Sequence, residues 1–144
     1  DSTAAMTRLV FTGIFDKYPN LKIITHHLGG LVPYTHGRIL QGYNKVGKRS
    51  EEGRKLLDQL KRHPYDYFKM FYADTATNGS VAALRCGVDF FGVDRVMFGT
   101  DMPFDSEGGS VFIGETIKTM EEMNASEEDK RKIYEENIKR LIKA

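Results

Sequence analysis

Three short segments rich in β-branched and aromatic residues recur along the chain, and each is followed by a histidine or an aspartate. They are Leu21–Thr25, Phe68–Ala73 and Val96–Phe98. Side chains of this kind favour strands, and the stretches between them carry apolar residues at helical spacing. Strands that alternate with helices form parallel sheets with right-handed crossovers. The sequence therefore predicts an α/β fold built on parallel strands.

The polar residues that follow these segments are expected to meet at one edge of the sheet. His26 and His27 follow the first segment, Asp74 follows the second, and Asp101 comes shortly after the third. Because parallel strands end on the same side, the four side chains gather on one rim. Side chains alternate along a strand, so only one histidine can point into a pocket. His27 shares a face with Thr25, but counting does not say which face is inward.

Histidine and aspartate on one rim indicate a metal site or an acid–base site, because both side chains bind cations and carry protons. Their nitrogen and oxygen atoms suit zinc, manganese or iron. One histidine and one aspartate are fewer than the three protein ligands of a typical catalytic zinc. Simpler interpretations stay open: a strand-end aspartate favours a turn, and a lone histidine is often structural. A further alternative is a small open sheet that binds an anion near Gly29 and Gly30.

The third segment has a more sharply defined end than the other two. Gly99 lets the backbone pass close to a neighbour, and Pro103 lacks the amide that would continue a strand ladder. An acid such as Asp101, at the carboxyl end of a buried strand, occupies the place where α/β proteins carry their chemistry. The glycine-bearing loop Asp105–Gly109 is expected to close over a site there.

Apolar spacing and capping residues predict the helices between these segments. They are Thr3–Tyr18, Val32–Tyr43, Glu51–Leu60, Val81–Gly87 behind a Ser80 cap, Ile113–Met123, and a last helix behind a Ser126 cap that buries Ile133, Tyr134, Ile138, Leu141 and Ile142. Gly42, Gly47 and Gly53 predict a loop-like stretch after Tyr43.

Composition excludes several classes of partner. The 144 residues carry 21 Lys and Arg against 20 Asp and Glu, so no basic face for nucleic acid is expected. No apolar run approaches the roughly 18 residues of a membrane span. Cys86 is the only cysteine, which excludes an internal disulfide and predicts a reducing, cytoplasmic location with Cys86 as a buried structural thiol. Residues 1–144 are expected to form one domain.

Several short motifs occur together in an order that resembles a known family. They are Tyr18-Pro19-Asn20-Leu21-Lys22-Ile23-Ile24, His27-Leu28-Gly29-Gly30, Pro33-Tyr34, Gly37-Arg38-Ile39, Phe71-Tyr72-Ala73-Asp74-Thr75, Phe98-Gly99-Thr100-Asp101-Met102-Pro103-Phe104 and Asn137-Ile138-Lys139-Arg140-Leu141. In this order they resemble the amidohydrolase-related metal-dependent enzymes, in the branch with aminocarboxymuconate-semialdehyde decarboxylase and the resorcylate-type decarboxylases. The resemblance covers nearly the whole chain.

The resemblance implies a TIM (β/α)8 barrel, of which this chain looks like strands six to eight with their helices. It implies that His27, at the end of strand six, is catalytic and acts on substrate or metal-bound water. Asp101, at the end of strand eight, is implied to be a catalytic metal ligand and proton acceptor, with His27 as a second metal-binding candidate. The implied ion is zinc, with manganese as the alternative. Arg38 matches an arginine that, in some of the decarboxylases, binds a substrate carboxylate from a neighbouring subunit, although a surface helix arginine fits equally well. His26 has no clear counterpart.

The chain also departs from that family. The paired histidines of strand one and the histidine of strand five have no counterpart, and a complete barrel needs about 250 residues. Three parallel strands alone leave two open edges and an uncovered inner face. The chain is therefore expected to be the carboxyl-terminal part of a metal-dependent hydrolase or decarboxylase for a small carboxylated or cyclic substrate. It is expected to be inactive alone and completed by an N-terminal half or a homo-oligomer; the alternative is a non-catalytic barrel segment that acts by association.

Overall fold

Three parallel strands form the sheet at the centre of the fold. The computed structural model describes residues 2–143, so Asp1 and Ala144 of the predicted domain lie outside the described residues. Strand β1 is Ile24–Thr25, β2 is Tyr72–Asp74 and β3 is Val96–Met97, in the spatial order β1-β2-β3. Both pairings are parallel, which confirms the predicted α/β class and strand direction.

Helices occupy the segments between and after the strands. In chain order they are α1 (Ser2–Phe11), α2 (Ile14–Lys17), α3 (Val32–Arg49), α4 (Glu51–Asp58), α5 (Pro64–Phe68), α6 (Val81–Phe91), α7 (Ser110–Glu122), α8 (Glu127–Arg131) and α9 (Asn137–Ile142). A π-helical turn, Lys132–Glu136, joins α8 to α9, and a 3-10 turn, Val93–Arg95, leads into β3. In the part of the chain that the structure describes, no helix is long and apolar enough to cross a membrane.

The second strand is shorter than predicted because a helix occupies its first residues. Phe68, predicted to begin a strand, is the last residue of α5. That helix begins at Pro64, since the fixed φ of proline suits a first helical turn, and the ring of His63 accepts the amide of Tyr65 as its cap. Pro64 therefore starts a helix six residues after α4 ends at Asp58, and β2 keeps only Tyr72–Asp74.

Two helices differ in length from the prediction at their glycines: the first is shorter and α3 is longer. The predicted helix Thr3–Tyr18 is interrupted at Gly13, whose φ of 67° is the left-handed conformation that ends helices. Helix α3, by contrast, continues through Gly42 and Gly47, so the loop predicted after Tyr43 is wrong.

Close packing of α4 on α3 accounts for the longer helix. A Cβ on Gly53 would lie 2.6 Å from Cγ1 and 2.8 Å from the carbonyl oxygen of Val46. Only glycine therefore lets α4 approach α3 so closely. Burial between the two helices offsets the roughly 1 kcal/mol that a glycine costs inside a helix.

The last helix turns a different set of residues inward than predicted. Ile133 is fully buried, as expected, and Asn137 one turn later is 1% exposed. Ile142, predicted to be buried, is 74% exposed. It follows Leu141 directly, and successive helical residues point about 100° apart, so both cannot face the core. The remaining predicted core residues, Tyr134, Ile138 and Leu141, are half-buried.

The two faces of the sheet have different environments. Residues paired across the sheet share a face, which places Thr25, Ala73 and Val96 together. All three are buried, and Ala73 and Val96 belong to the main core beneath the helices. Ile24 and Tyr72 lie on the opposite face, where Ile24 is 41% exposed. Met97, which pairs with Asp74 on that face, is only 4% exposed, so the face opposite the main core is exposed at β1 and buried at β3.

Candidate functional site

The chain makes one left-handed turn directly after β1. Four successive residues have positive φ: His27 (53°), Leu28 (47°), Gly29 (74°) and Gly30 (62°). The amide of Gly29 donates to the carbonyl of His26 at 3.0 Å, and that of Gly30 donates to the carbonyl of His27 at 2.9 Å. Glycine adopts this conformation freely, whereas each residue with a Cβ costs about 1–2 kcal/mol in it. The turn therefore strains His27 and Leu28, and the side-chain alternation used to assign faces stops with β1.

The turn and the segment after β3 bring His27 and Asp101 together. Nε2 of His27 lies 3.5 Å from Oδ2 of Asp101. Both side chains remain accessible, with exposures of 51% for the imidazole and 30% for the carboxylate. The backbone of Asp101 is also left-handed, with a φ of 62°. An imidazole and a carboxylate so placed can exchange a proton or present one nitrogen and one oxygen to a cation.

A third residue of the rim, Asp74, holds the backbone of the turn. Its Oδ1 accepts the amide of His27 at 2.8 Å and the amide of Ala76 at 3.1 Å. Its Oδ2 lies 3.2 Å from Nδ1 of His26. The side chain of Asp74 is 15% exposed, against 76% for that of His26. Its position after a strand placed Asp74 on the rim, but no pattern in the sequence indicated these three contacts.

Thr75 and Gly99 connect the ends of β2 and β3. The hydroxyl of Thr75 donates to the carbonyl of Gly99 at 2.9 Å and accepts its amide at 3.1 Å. A Cβ on Gly99 would lie 3.0 Å from Cβ of Asp74, closer than side chains ordinarily approach. Gly99 therefore lets the backbone pass close to a neighbour, as predicted, and that neighbour is Asp74.

The loop after Asp101 is tied to α7 by one carboxylate. Oδ1 of Asp105 accepts the amides of Glu107 at 2.7 Å and Gly109 at 2.9 Å, and Oδ2 accepts that of Phe112 at 3.0 Å. These backbone hydrogen bonds, that of Phe112 foremost, lower the pKa of Asp105 below its ordinary value. The sequence predicts a loop that closes over the site; the structure shows this loop anchored at Asp105.

We expect Asp105→Asn to change the acid sensitivity of the fold. A carboxylate whose pKa is lower in the folded state stabilises the fold above its unfolded pKa, and this contribution is lost as the pH falls through the folded value. Urea unfolding of Asp105→Asn should therefore show a deficit at about pH 7 that narrows toward about pH 3. Asp58→Asn, at an exposed carboxylate in α4, is the control. An equal deficit at both pH values would contradict the prediction.

The donors on the rim fit part of a metal site. His27 and Asp101 supply one imidazole nitrogen and one carboxylate oxygen, a pair that suits divalent transition ions. Within residues 2–143, no group of three His, Cys, Asp or Glu side chains is placed to hold an ion. Because a catalytic metal normally takes three or more protein ligands, such a site needs ligands from beyond this part of the chain.

Arg38 does not join the rim residues. It lies on α3 with an exposed side chain, and among residues 2–143 its guanidinium has no ion-pair partner. The guanidinium is therefore accessible to a molecule that approaches from outside. Its role in binding a substrate carboxylate stays a prediction.

An apolar cleft of about 350 Å³ borders the left-handed turn. Beside His27, its walls include Leu31 and Tyr34 near the start of α3, and Ala83 and Cys86 of α6. Cys86, predicted to be a buried structural thiol, is half-buried. Leu84, Gly87 and Phe91 are buried on another face of α6, and the side chain of Cys86 borders the cleft.

The fold and the site define an α/β protein whose parallel strands are followed by a histidine–aspartate pair at their carboxyl ends. Comparison with known proteins then gives the family, because the amidohydrolase family model matches residues 1–143. The chain belongs to the amidohydrolase family, and the resemblance inferred from its motifs is confirmed.

The curated relatives are decarboxylases that are considerably longer than this chain. Gamma-resorcylate decarboxylase of a Polaromonas species is 33% identical over 138 residues, which cover 94% of this chain and 38% of the relative. The 2-amino-3-carboxymuconate-6-semialdehyde decarboxylase of Dictyostelium discoideum is 29% identical, over 86% of this chain and 32% of the relative. This chain thus spans well under half the length of the relatives it matches.

Two solved structures of similar fold are also decarboxylases with longer chains. Dihydroxybenzoic acid decarboxylase from a Polaromonas species, with bound manganese and the inhibitor 2-nitroresorcinol, superposes with a TM-score of 0.77 at 33% identity, covering 98% of this chain and 39% of that one. The 5-carboxyvanillate decarboxylase of Novosphingobium aromaticivorans, complexed with manganese and 4-hydroxy-3-methoxy-5-nitrobenzoic acid, has a TM-score of 0.79 at 26% identity, covering 99% and 38%.

Proposed function

We propose that this chain forms strands six to eight of a (β/α)8 barrel in a divalent-metal-dependent decarboxylase that acts on a small aromatic carboxylate. The observation that carries the proposal is the 3.5 Å distance between Nε2 of His27 and Oδ2 of Asp101 at the carboxyl ends of parallel strands. Barrel enzymes bind and convert their substrates at this end of the sheet. The relatives favour carbon–carbon cleavage over hydrolysis, because those described above are decarboxylases.

The exposure of β1 on the face of the sheet opposite the main core supports the assignment to a partial barrel. Ile24 is 41% exposed on this face, whereas barrel interiors are filled by side chains from all strands. Further strands, from an N-terminal half or from another chain, would cover the face and supply the remaining metal ligands. The chain on its own is accordingly expected to be inactive.

Asp101 is the proposed metal ligand on this chain, and His27, predicted as a second metal-binding candidate, is proposed to carry a proton instead. When bound, the ion would supply positive charge that polarises the oxygens of the substrate. We favour manganese, because both solved structures described above contain it. The prediction of zinc gains no support from those structures.

His27 and Asp101 are proposed to handle the proton that decarboxylation requires. When a carboxylate leaves an aromatic ring as carbon dioxide, the electron pair of the broken carbon–carbon bond stays on the ring. A proton must then form a new carbon–hydrogen bond at that carbon. The imidazole of His27 can deliver such a proton while Asp101, 3.5 Å away, orients the ring.

Arg38 is proposed to bind the substrate carboxylate in the site of a neighbouring subunit. Its guanidinium is exposed on α3, and its planar fork can donate two parallel hydrogen bonds to a carboxylate. This role requires a homo-oligomer, so a full-length enzyme that is active as a monomer would exclude it.

Asp101→Asn in the full-length protein tests the proposal. The amide is a much poorer ligand for a hard cation, so manganese content is expected to fall to background and release of carbon dioxide from 2,6-dihydroxybenzoate to be lost. Asp89→Asn, at an exposed carboxylate of α6, is the matched control and should retain both. If Asp101→Asn keeps its metal and turnover, the rim residues are structural and the chain is a non-catalytic barrel segment.

A further inference from the structure

We propose that Asp74 is a positioning residue, which holds the left-handed turn so that the imidazole of His27 faces Asp101. The inference concerns the backbone of this chain, and only its kinetic consequence rests on the proposed function. Asp74 accepts the amide of His27, lies between the ends of β1 and β3, and has both carboxylate oxygens occupied by protein donors.

The residues of the turn differ in what holds them in the left-handed conformation. Gly29 and Gly30 adopt positive φ without steric cost, because they lack a Cβ. Leu28 has a Cβ but is 3% exposed, so burial of its side chain holds it in place. His27 has a Cβ and a half-exposed ring, and it therefore lacks that support. The hydrogen bond from its amide to Oδ1 of Asp74, 2.8 Å long, stabilises this conformation in place of packing.

The position of Asp74 is itself closely determined. Oδ1 also accepts the amide of Ala76, and Oδ2 is engaged by Nδ1 of His26, so the carboxylate has little freedom to rotate. On its other side, a Cβ at Gly99 would lie 3.0 Å from Cβ of Asp74. Asp101 follows Gly99 by two positions. Asp74 therefore fixes the end of β1 relative to the segment that carries Asp101.

These contacts indicate positioning in preference to metal binding by Asp74 itself. A ligand needs a lone pair directed at the ion, but Oδ1 already accepts two amides and Oδ2 faces the imidazole of His26. Among the residues that the structure describes, Asp74 belongs to no group of three side chains suited to an ion. His26, exposed and without a counterpart in the family motif, acts by securing the second oxygen of Asp74.

Asp74→Ala in the full-length protein is the first test. Loss of the acceptor frees the turn, so the amide of His27 should exchange with solvent at least about tenfold faster, measured by NMR on protein labelled with nitrogen-15 histidine. Turnover of 2,6-dihydroxybenzoate should fall about tenfold or more, because the reacting imidazole is misplaced. KM should stay within about twofold, because the groups that bind the substrate are not moved. Manganese content should stay unchanged, since Asp101 is intact.

Two further variants give this test its controls. Asp74→Asn keeps an oxygen that accepts both amides, so it should restore slow exchange at His27 and most of the turnover. Asp89→Ala, at an exposed site on α6, should behave as the unmodified protein. If Asp74→Ala does not fold, Gly99→Ala replaces it, because its new methyl group presses on Asp74 without touching His27. Gly99→Ala should then also accelerate hydrogen exchange at the amide of His27.

The outcomes separate this inference from the proposed function. Unchanged exchange at His27 in Asp74→Ala, with or without a loss of turnover, would overturn the positioning role. The same holds for unchanged exchange in Gly99→Ala if that variant has to be used. If the unmodified protein binds no manganese or releases no carbon dioxide, the proposed function fails. Exchange at His27 still decides the role of Asp74 in that case, because it requires neither metal nor substrate.

Discussion

Phe71→Ala should lower the free energy of unfolding by about 3–5 kcal/mol, the usual cost of removing a buried phenylalanine ring. Phe71 directly precedes β2 and is fully buried. Its ring meets that of Phe15 edge to face, with the centroids 5.1 Å apart. The substitution leaves a cavity under the helix-covered face of the sheet, which the strand above it cannot collapse to fill. The measurement is the shift of the urea midpoint at unchanged slope.

Phe104→Ala is the matched control for this prediction. It deletes the same ring at a position that is 79% exposed, so its effect on stability should stay within about 0.5 kcal/mol. A loss below about 1 kcal/mol for Phe71→Ala would show that the helix-covered face is not close-packed.

Asn137→Ala should cost about 2–4 kcal/mol, because it removes a buried side-chain amide together with both hydrogen bonds that this amide donates. Nδ2 of Asn137 donates to the carbonyls of Val93 and Val96, each at 2.7 Å. The side chain is 1% exposed, so water cannot replace it. These bonds fasten the turn before β3 to the last helix, and the loss should be visible as a lower urea midpoint.

Asn44→Ala serves as the control for Asn137. It removes an exposed amide from the surface of α3, where alanine is the better helix former, so stability should be unchanged or rise by a few tenths of a kcal/mol. Equal effects of the two substitutions would mean that the buried amide contributes no more than a surface residue.

The architecture could be predicted because its determinants are local. Strand-forming segments that alternate with helical ones imply parallel pairing, and the pairing places the strand ends on one side. The hydroxyls of Ser80 and Ser126 accept amides three residues ahead, the contact that a helix cap at these positions predicts. The strand-forming segments, the helical segments and the caps each depend on residues within a few positions of one another, and strand direction follows from their order along the chain.

The features that could not be predicted depend on contacts between distant parts of the chain. The left-handed conformation of His27 is held by Asp74, 47 positions away in the sequence, so counting strand residues in twos could not give its orientation. Helix α3 passes two glycines because α4 packs on it at Gly53. Neither contact has a signature in the sequence around the affected residue.

The candidate site was predictable only in part for the same reason. The approach of His27 and Asp101 followed from strand direction together with the family motifs. The contacts of Asp74 depend on the shape of the turn, which the glycine pair after His27 hinted at but did not define. Arg38 lies apart from these residues, and its assignment rests on the resemblance alone.

The contact between the left-handed turn and α6 makes two positions interdependent in evolution. A Cβ at Gly87 would lie 2.6 Å from Cδ2 and 2.9 Å from Cβ of Leu28, so the helix touches the turn with no space to spare. A homologue with a larger residue in place of Gly87 must carry a smaller one in place of Leu28, or the neighbouring His27 is displaced. Paired changes of side-chain volume at these two places would be the expected record of that constraint.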